Sequence, residues 1–148
     1  DTSWISETEW NSYSKAIRKA GSLIVGHRTY DILTKQPEFS ELEDIRLIIV
    51  SNKDFKTLAD HHSIAKSPKE ALALVKDFGD VVVAGGGVLN SSFMKEGLID
   101  EIYLDIEPTI LGKGISLFEE VVLNTKLELI ESKNLSDNEI QLHYRVVK

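Results

Sequence analysis

Three short apolar runs, Leu23–Val25, Leu47–Val50 and Val81–Ala84, alternate with stretches of helical pattern, and each ends at glycine or small polar residues. Continuous apolar runs of this length suit strands covered on both faces, which is the situation of a parallel sheet layered with helices. The helical stretches carry their own boundary signals. Ser6-Glu7-Thr8-Glu9 has capping-box spacing, Trp10, Tyr13, Ile17 and Ala20 follow on one face, and Gly21 closes the turn. A short helix is expected from Thr29 to Thr34. Pro37 and the acidic residues up to Asp44 read as a surface connection. Pro68 opens a helix expected to run to about Gly79, and another spans Val88 to Glu96 before Gly97. Further on, Ile102, Leu104 and Ile106 alternate with Tyr103 and Asp105. Leu127–Glu131 and Ile140–Val147 also alternate, around the turn-prone stretch from Asn134 to Asn138. The expected fold is therefore α/β, a mixed and mainly parallel sheet flanked by helices, with a C-terminal antiparallel hairpin, in one domain over residues 1–148.

Charge and composition narrow the partners. A formal net charge of −7 opposes non-specific contact with nucleic acid or an anionic membrane. The chain has no cysteine, which removes disulfide and thiol chemistry and suits the cytoplasm. No apolar run reaches the ~20 residues that span a bilayer. His61 and His62 are neighbours that point opposite ways in a strand, so they are expected to be solvent-exposed and not to form a metal site.

In open α/β sheets, ligands bind beyond the carboxyl ends of the strands. Three such ends carry suitable groups here. Gly26-His27-Arg28-Thr29 offers a glycine, a helix start, a hydroxyl and a cation. Ser51-Asn52-Lys53 offers two short polar side chains and a second cation, and Gly85-Gly86-Gly87 leads into another helix. Each alone reads more readily as a plain turn; together they suit a ligand with several phosphates, such as a dinucleotide. The spacing is neither a Rossmann fingerprint nor a P-loop.

Four segments resemble the dihydrofolate reductase superfamily: Ile24–Tyr30, Val82–Leu89, Leu98–Glu101 and Pro108–Phe118. The last is closer to the C-terminal reductase domain of riboflavin-biosynthesis enzymes, the RibD type, than to dihydrofolate reductases proper. The resemblance implies an eight-stranded mixed sheet with NADPH across its strand ends. Gly26 and Thr29 would line the pyrophosphate, with His27 or Arg28 toward the adenosine phosphate. Ser51, Asn52 and Lys53 would meet the ribose and its 2′-phosphate, and Gly85, Gly86, Gly87, Val88 and Leu89 would wrap the cofactor's centre. The family's basic residue normally follows the glycine directly, where His27 stands here. Its first central strand and Ser-x-Asp-Gly-like loop find no counterpart after Asp1 and are expected upstream. A chain lacking that strand would have a hole in its sheet.

For the substrate, Glu9 resembles the acid that holds the pterin, with Trp4 nearby to stack on a planar ring. The residues alone favour Glu9 as the reciprocal half of the capping box over a catalytic acid. Lys15, Arg18 and Lys19 fall on the solvated face of the first helix. The resulting expectation is an NADPH-dependent reductase of a small pterin-like or ribosylaminopyrimidine heterocycle. The rival is a non-catalytic nucleotide-binding or oligomeric module with the same fold. A homodimer is expected, on the argument that the last strand from Ile140 is an exposed edge.

Overall fold

The computed structural model describes residues 2–119 and 121–148. Helix α1 (Glu7–Ala20) starts where Ser6 accepts the Glu9 N–H and ends at Gly21, which adopts φ 80°. Strand β1 (Ser22–Gly26) follows and runs directly into α2 (His27–Leu33). The expected surface connection after Pro37 winds into a 3-10 helix, Pro37–Leu42, whose Leu42 is fully buried. Strands β2 (Arg46–Val50) and β3 (His62–Ala65) come next. Helix α3 (Pro68–Leu74) has Ser67 as its cap and Pro68 in its first turn, but it stops five residues before Gly79. Strand β4 is only Val82–Val83, and α4 (Gly87–Lys95) follows. Gly97, at φ 71°, turns the chain toward β5 (Glu101–Ile106), and β6 (Leu127–Asn134) and β7 (Ile140–Val146) form the hairpin.

The parallel sheet has the order β3-β2-β1-β4. Its apolar strands are covered on both faces, as continuous apolar runs require. Leu23, Val25, Leu47 and Ile49 point into one buried cluster with Ile17, Tyr30 and Leu42. Ile24 and Ile48 point into the other with Ala71, Val75, Leu89 and Phe93. Lys15, Arg18 and Lys19 are exposed, as their helical phase predicts.

Two features differ from expectation. The hairpin does not extend the parallel sheet; it pairs with β5 in a second, antiparallel sheet of order β5-β7-β6. Among the described strands, β4 ends one sheet and β5 begins the other, so the sheet is interrupted where the resemblance places a further central strand. Second, β7 is the centre of its sheet and not an edge. The argument for a dimer through an exposed β7 therefore falls, because both of its backbone edges are already paired. Among the described strands, the edges of this sheet are β5 and β6.

Candidate active site

Parallel pairing carries the carboxyl ends of β1, β2 and β4 to one rim. Gly26 lies opposite Val50 in the register, and its N–H donates to the Gly85 carbonyl at 2.7 Å. The Gly26, Ser51 and Gly85–Gly86 turns thus stand side by side. Gly26 and Gly86 are the N-caps of α2 and α4, and neither cap has a side chain to satisfy the first free N–H groups. Thr29 reaches the same point, with Oγ1 3.5 Å from where a Cβ on Gly86 would sit. The Gly85–Gly86 peptide is cis.

The four glycines do different things. Gly85 has φ +90°, which favours glycine for conformational reasons. A Cβ on Gly87 would lie 2.5 Å from the Ser116 carbonyl, so this glycine lets the 116–119 segment close onto α4. Glu119 N–H donates to the Gly87 carbonyl and Asn90 Nδ2 to the Leu117 carbonyl. Gly26 and Gly86 are under neither constraint. Their φ values are −79° and −74°, and an added Cβ would make ordinary contacts at 3.7 Å and 3.5 Å. Serine or aspartate would cap these helices better than glycine. Nothing within the protein asks for glycine there, whereas a phosphate drawn close to backbone N–H groups would. The rim therefore fits a dinucleotide.

Around it, Arg28 is exposed and makes no hydrogen bond or ion pair among the described residues. His27 stacks on Phe55, with ring centroids 3.8 Å apart, and lies 3.7 Å from Asp31. Ser51 Oγ accepts the Lys53 N–H, and Asn52 and Lys53 are exposed. Lys66, just past β3, was not singled out in the sequence. It donates to the Asn52 carbonyl and pairs with Asp54 at 2.8 Å. Val88 is exposed beside the rim, while Leu89 is buried in the core between α4 and the sheet.

The expectation of exposed histidines holds for His61 and fails for His62, which is buried. The Tyr30 hydroxyl accepts the Leu58 N–H and shares a hydrogen bond with His62 Nδ1 at 2.9 Å. Burial, and then neighbouring His61, pull the His62 pKa down, in keeping with a neutral ring. This chain of contacts ties α2, the 51–61 connection and β3 together behind the rim. Tyr30→Phe strands both partners and is expected to cost about 1–3 kcal/mol, read as a lowered denaturant midpoint.

The second cluster lies at the start of α1. The capping box is only half made: Ser6 caps Glu9 N–H, but Ser6 N–H donates to Glu107 Oε1 at 2.9 Å and not to Glu9. Glu9 is thereby released toward Asp105, Glu107 and Glu139, in a crevice also lined by Ile106 and Leu135 that leaves no room for a water molecule. Its Oε2 is buried and meets no donor. Burial raises the Glu9 pKa from 4.5 to about 7, helped by a hydrogen bond to Glu107 and by repulsion from Glu107, Asp105 and Glu139. In contrast, the Ser136 and Ser6 hydroxyls hold the Glu139 carboxyl below its ordinary value. Trp4 lies just before the helix, 38% exposed. No group of three or more His, Cys, Asp or Glu among the described residues is arranged to hold a metal. Among the same residues, no helix is long and apolar enough to cross a membrane.

Fold and rim together define an α/β domain of the dihydrofolate reductase type. Residues 1–141 match the RibD C-terminal domain, and the chain belongs to that family. It is 31% identical to the uncharacterized protein YwjB of Bacillus subtilis strain 168, covering 95% of this chain and 84% of that one. Among solved structures it is similar to Acinetobacter baumannii RibD, with TM-score 0.76 and 17% identity over 97% of this chain. It is also similar to a diaminohydroxyphosphoribosylaminopyrimidine deaminase/5-amino-6-(5-phosphoribosylamino)uracil reductase from Thermotoga maritima, with TM-score 0.70 and 18% identity over 99% of this chain. The chain spans 51% of each of these two structures. At such identities they establish the shared fold.

Proposed function

We propose that this protein is an NADPH-dependent reductase that reduces a pterin-like or ribosylaminopyrimidine heterocycle in the cytoplasm. The observation that carries the reading is the pair of glycine-capped helix starts, Gly26 and Gly86, held side by side where neither conformation nor packing calls for glycine. Those backbones and Thr29 would hold the pyrophosphate. Arg28, His27 and the Ser51–Lys53 turn would take the adenosine end. The nicotinamide, when bound, supplies the hydride, and the protein's part is alignment. Glu9 would act as the proton donor and Trp4 would stack on the ring. A carboxyl that keeps its proton up to about pH 7 suits that task, and the 135–139 turn must give way for a ring to reach it.

NADPH at a hundredfold excess over its Kd is expected to stabilise the protein by about 2.7 kcal/mol, read as a rise in Tm. No shift at millimolar NADPH removes the cofactor assignment. Lys53→Ala is expected to weaken NADPH but not NADH, by roughly 1.5–3 kcal/mol for one charge-assisted contact to the 2′-phosphate. Equal losses would assign that phosphate elsewhere, with Arg28→Ala as the next variant. The second reading is a non-catalytic nucleotide-binding module with the same fold. Binding without oxidation of NADPH at 340 nm, across pterin and ribosylaminopyrimidine substrates, would decide for it.

A further inference from the structure

On the reading of the rim as a dinucleotide site, we infer that Glu119 is a built-in competitor for it. Its side chain rests against the start of α4, and a dinucleotide must displace it together with the segment that carries it. A carboxylate and a phosphate are drawn to a helix start for the same reason, the unsatisfied N–H groups and the positive end of the helix dipole. The cap of α4 is Gly86, which has no side chain to meet those groups, so an acid from elsewhere in the chain can stand there.

Close packing brings Glu119 to that place. A Cβ on Gly87, the first residue of α4, would stand 2.8 Å from Glu119 Cγ and 3.1 Å from Cδ, the carboxyl carbon. Glu119 N–H donates to the Gly87 carbonyl at 3.2 Å, and Asn90 Nδ2 donates to the Leu117 carbonyl at 2.9 Å. The same Asn90 nitrogen lies 3.8 Å from where a Cβ on Gly85 would sit, so one amide borders the glycine turn and grips the segment. The absence of a side chain at Gly87 is what admits the acid to the helix start.

The stretch leading to Glu119 is free to let go. Residues 108–117 are exposed and form no helix or strand. Gly112 stands at φ +77°, and a Cβ on Gly112 or Gly114 would meet nothing within 4 Å. Among the described residues, this stretch is held to the rest of the protein by the hydrogen bonds at Gly87 and Asn90. Such bonds contribute modestly once water competes for the same groups. A pyrophosphate brings negative charge to a place where Glu119 already stands, and like charges at that range repel. The seated strap and the bound dinucleotide therefore oppose each other. The opposition is reciprocal, so whatever loosens the strap tightens the ligand.

Fluorescence titration of NADPH is expected to give a Kd about twofold to tenfold lower for Glu119→Gln than for the unmodified protein, because glutamine keeps the shape and loses the charge. Glu96→Gln is the control. Glu96 is exposed at the other end of α4, about 14 Å from Gly87 along the helix axis. That exceeds the screening length of about 8 Å at physiological salt, so its Kd should not move. Hydrogen–deuterium exchange of the unmodified protein covers the case in which Glu119→Gln misfolds. Saturating NADPH should speed exchange of the Glu119 N–H as it leaves the Gly87 carbonyl, whereas a strap that closed over the ligand would slow it. An unchanged Kd in folded Glu119→Gln overturns the inference. So does an equal fall in Kd for Glu96→Gln, or slowed or unchanged exchange at Glu119 on binding. In each of these cases NADPH has bound, and the cofactor assignment stands. NADPH that binds none of the three proteins overturns the cofactor assignment and this inference together.

Discussion

Gly26→Ala is expected to raise the NADPH Kd about tenfold to a hundredfold while leaving Tm nearly unchanged. The new methyl group would stand 3.7 Å from the Gly85 carbonyl and 3.8 Å from Gly86 N, which are ordinary contacts. The backbone at φ −79° is open to alanine. Replacing glycine where its conformation is compatible stabilises by about 0.4–1 kcal/mol through the unfolded chain, offset by a slightly poorer helix cap. A bound pyrophosphate has no such room, because it must approach the N–H groups that the methyl group flanks. Overpacking of about 1–3 kcal/mol gives the stated range. The neighbouring glycines serve as contrasts. Gly85→Ala strains a φ of +90°, and Gly87→Ala drives a Cβ to within 2.5 Å of the Ser116 carbonyl, so both should lose stability along with affinity. Fluorescence titration of NADPH beside thermal melts separates the cases. Unchanged affinity in Gly26→Ala would show that no ligand approaches this backbone.

What could be read from the sequence was what short stretches of chain decide for themselves. Ser6 and Gly21 bracket α1 because a hydroxyl cap and a left-handed glycine act within a few residues. The apolar runs became strands because burial on both faces leaves them no other place, and the glycine-rich ends met because parallel strands share a rim. The failures involve partners distant in sequence. Strand β3 shows only Ile64 and Ala65 as apolar residues, and it exists because β2 pairs with it. His62 looked exposed because the Tyr30 hydroxyl that satisfies it lies 32 residues away. The place of β7 between β5 and β6 follows from pairing that alternation alone does not encode. Glu9 illustrates the same limit at the candidate site. Its four-residue motif suggests a capping box, but Glu107, about a hundred residues later, takes the Ser6 N–H and changes what Glu9 can do. A carboxylate at the end of a strand that packs against the first helix was the available signal, and it becomes specific only once β5 is placed beside α1.

Glu9→Gln is expected to alter both the pH dependence of stability and the rate of turnover. The folded-state pKa is raised, from 4.5 to about 7, so the native protein holds this proton more tightly than the unfolded chain. The linked stability is complete below about pH 4.5 and declines as pH rises through 7, where Glu9 ionises beside Asp105, Glu107 and Glu139. The side chain is only partly buried, so solvent screening reduces the effect to at most about 2 kcal/mol. Glutamine keeps a donor toward Glu107 and cannot ionise. The variant should therefore lose the decline between pH 5 and pH 8 and be the more stable protein at pH 8, as measured by denaturant midpoints across that range. In turnover, the loss of the proton donor should lower kcat by at least about a hundredfold, with KM for NADPH unchanged because the rim is untouched. A flattened stability profile with undiminished kcat would make Glu9 a structural acid and end its catalytic assignment. A profile that keeps its decline would mean that a neighbouring carboxylate, and not Glu9, holds the proton.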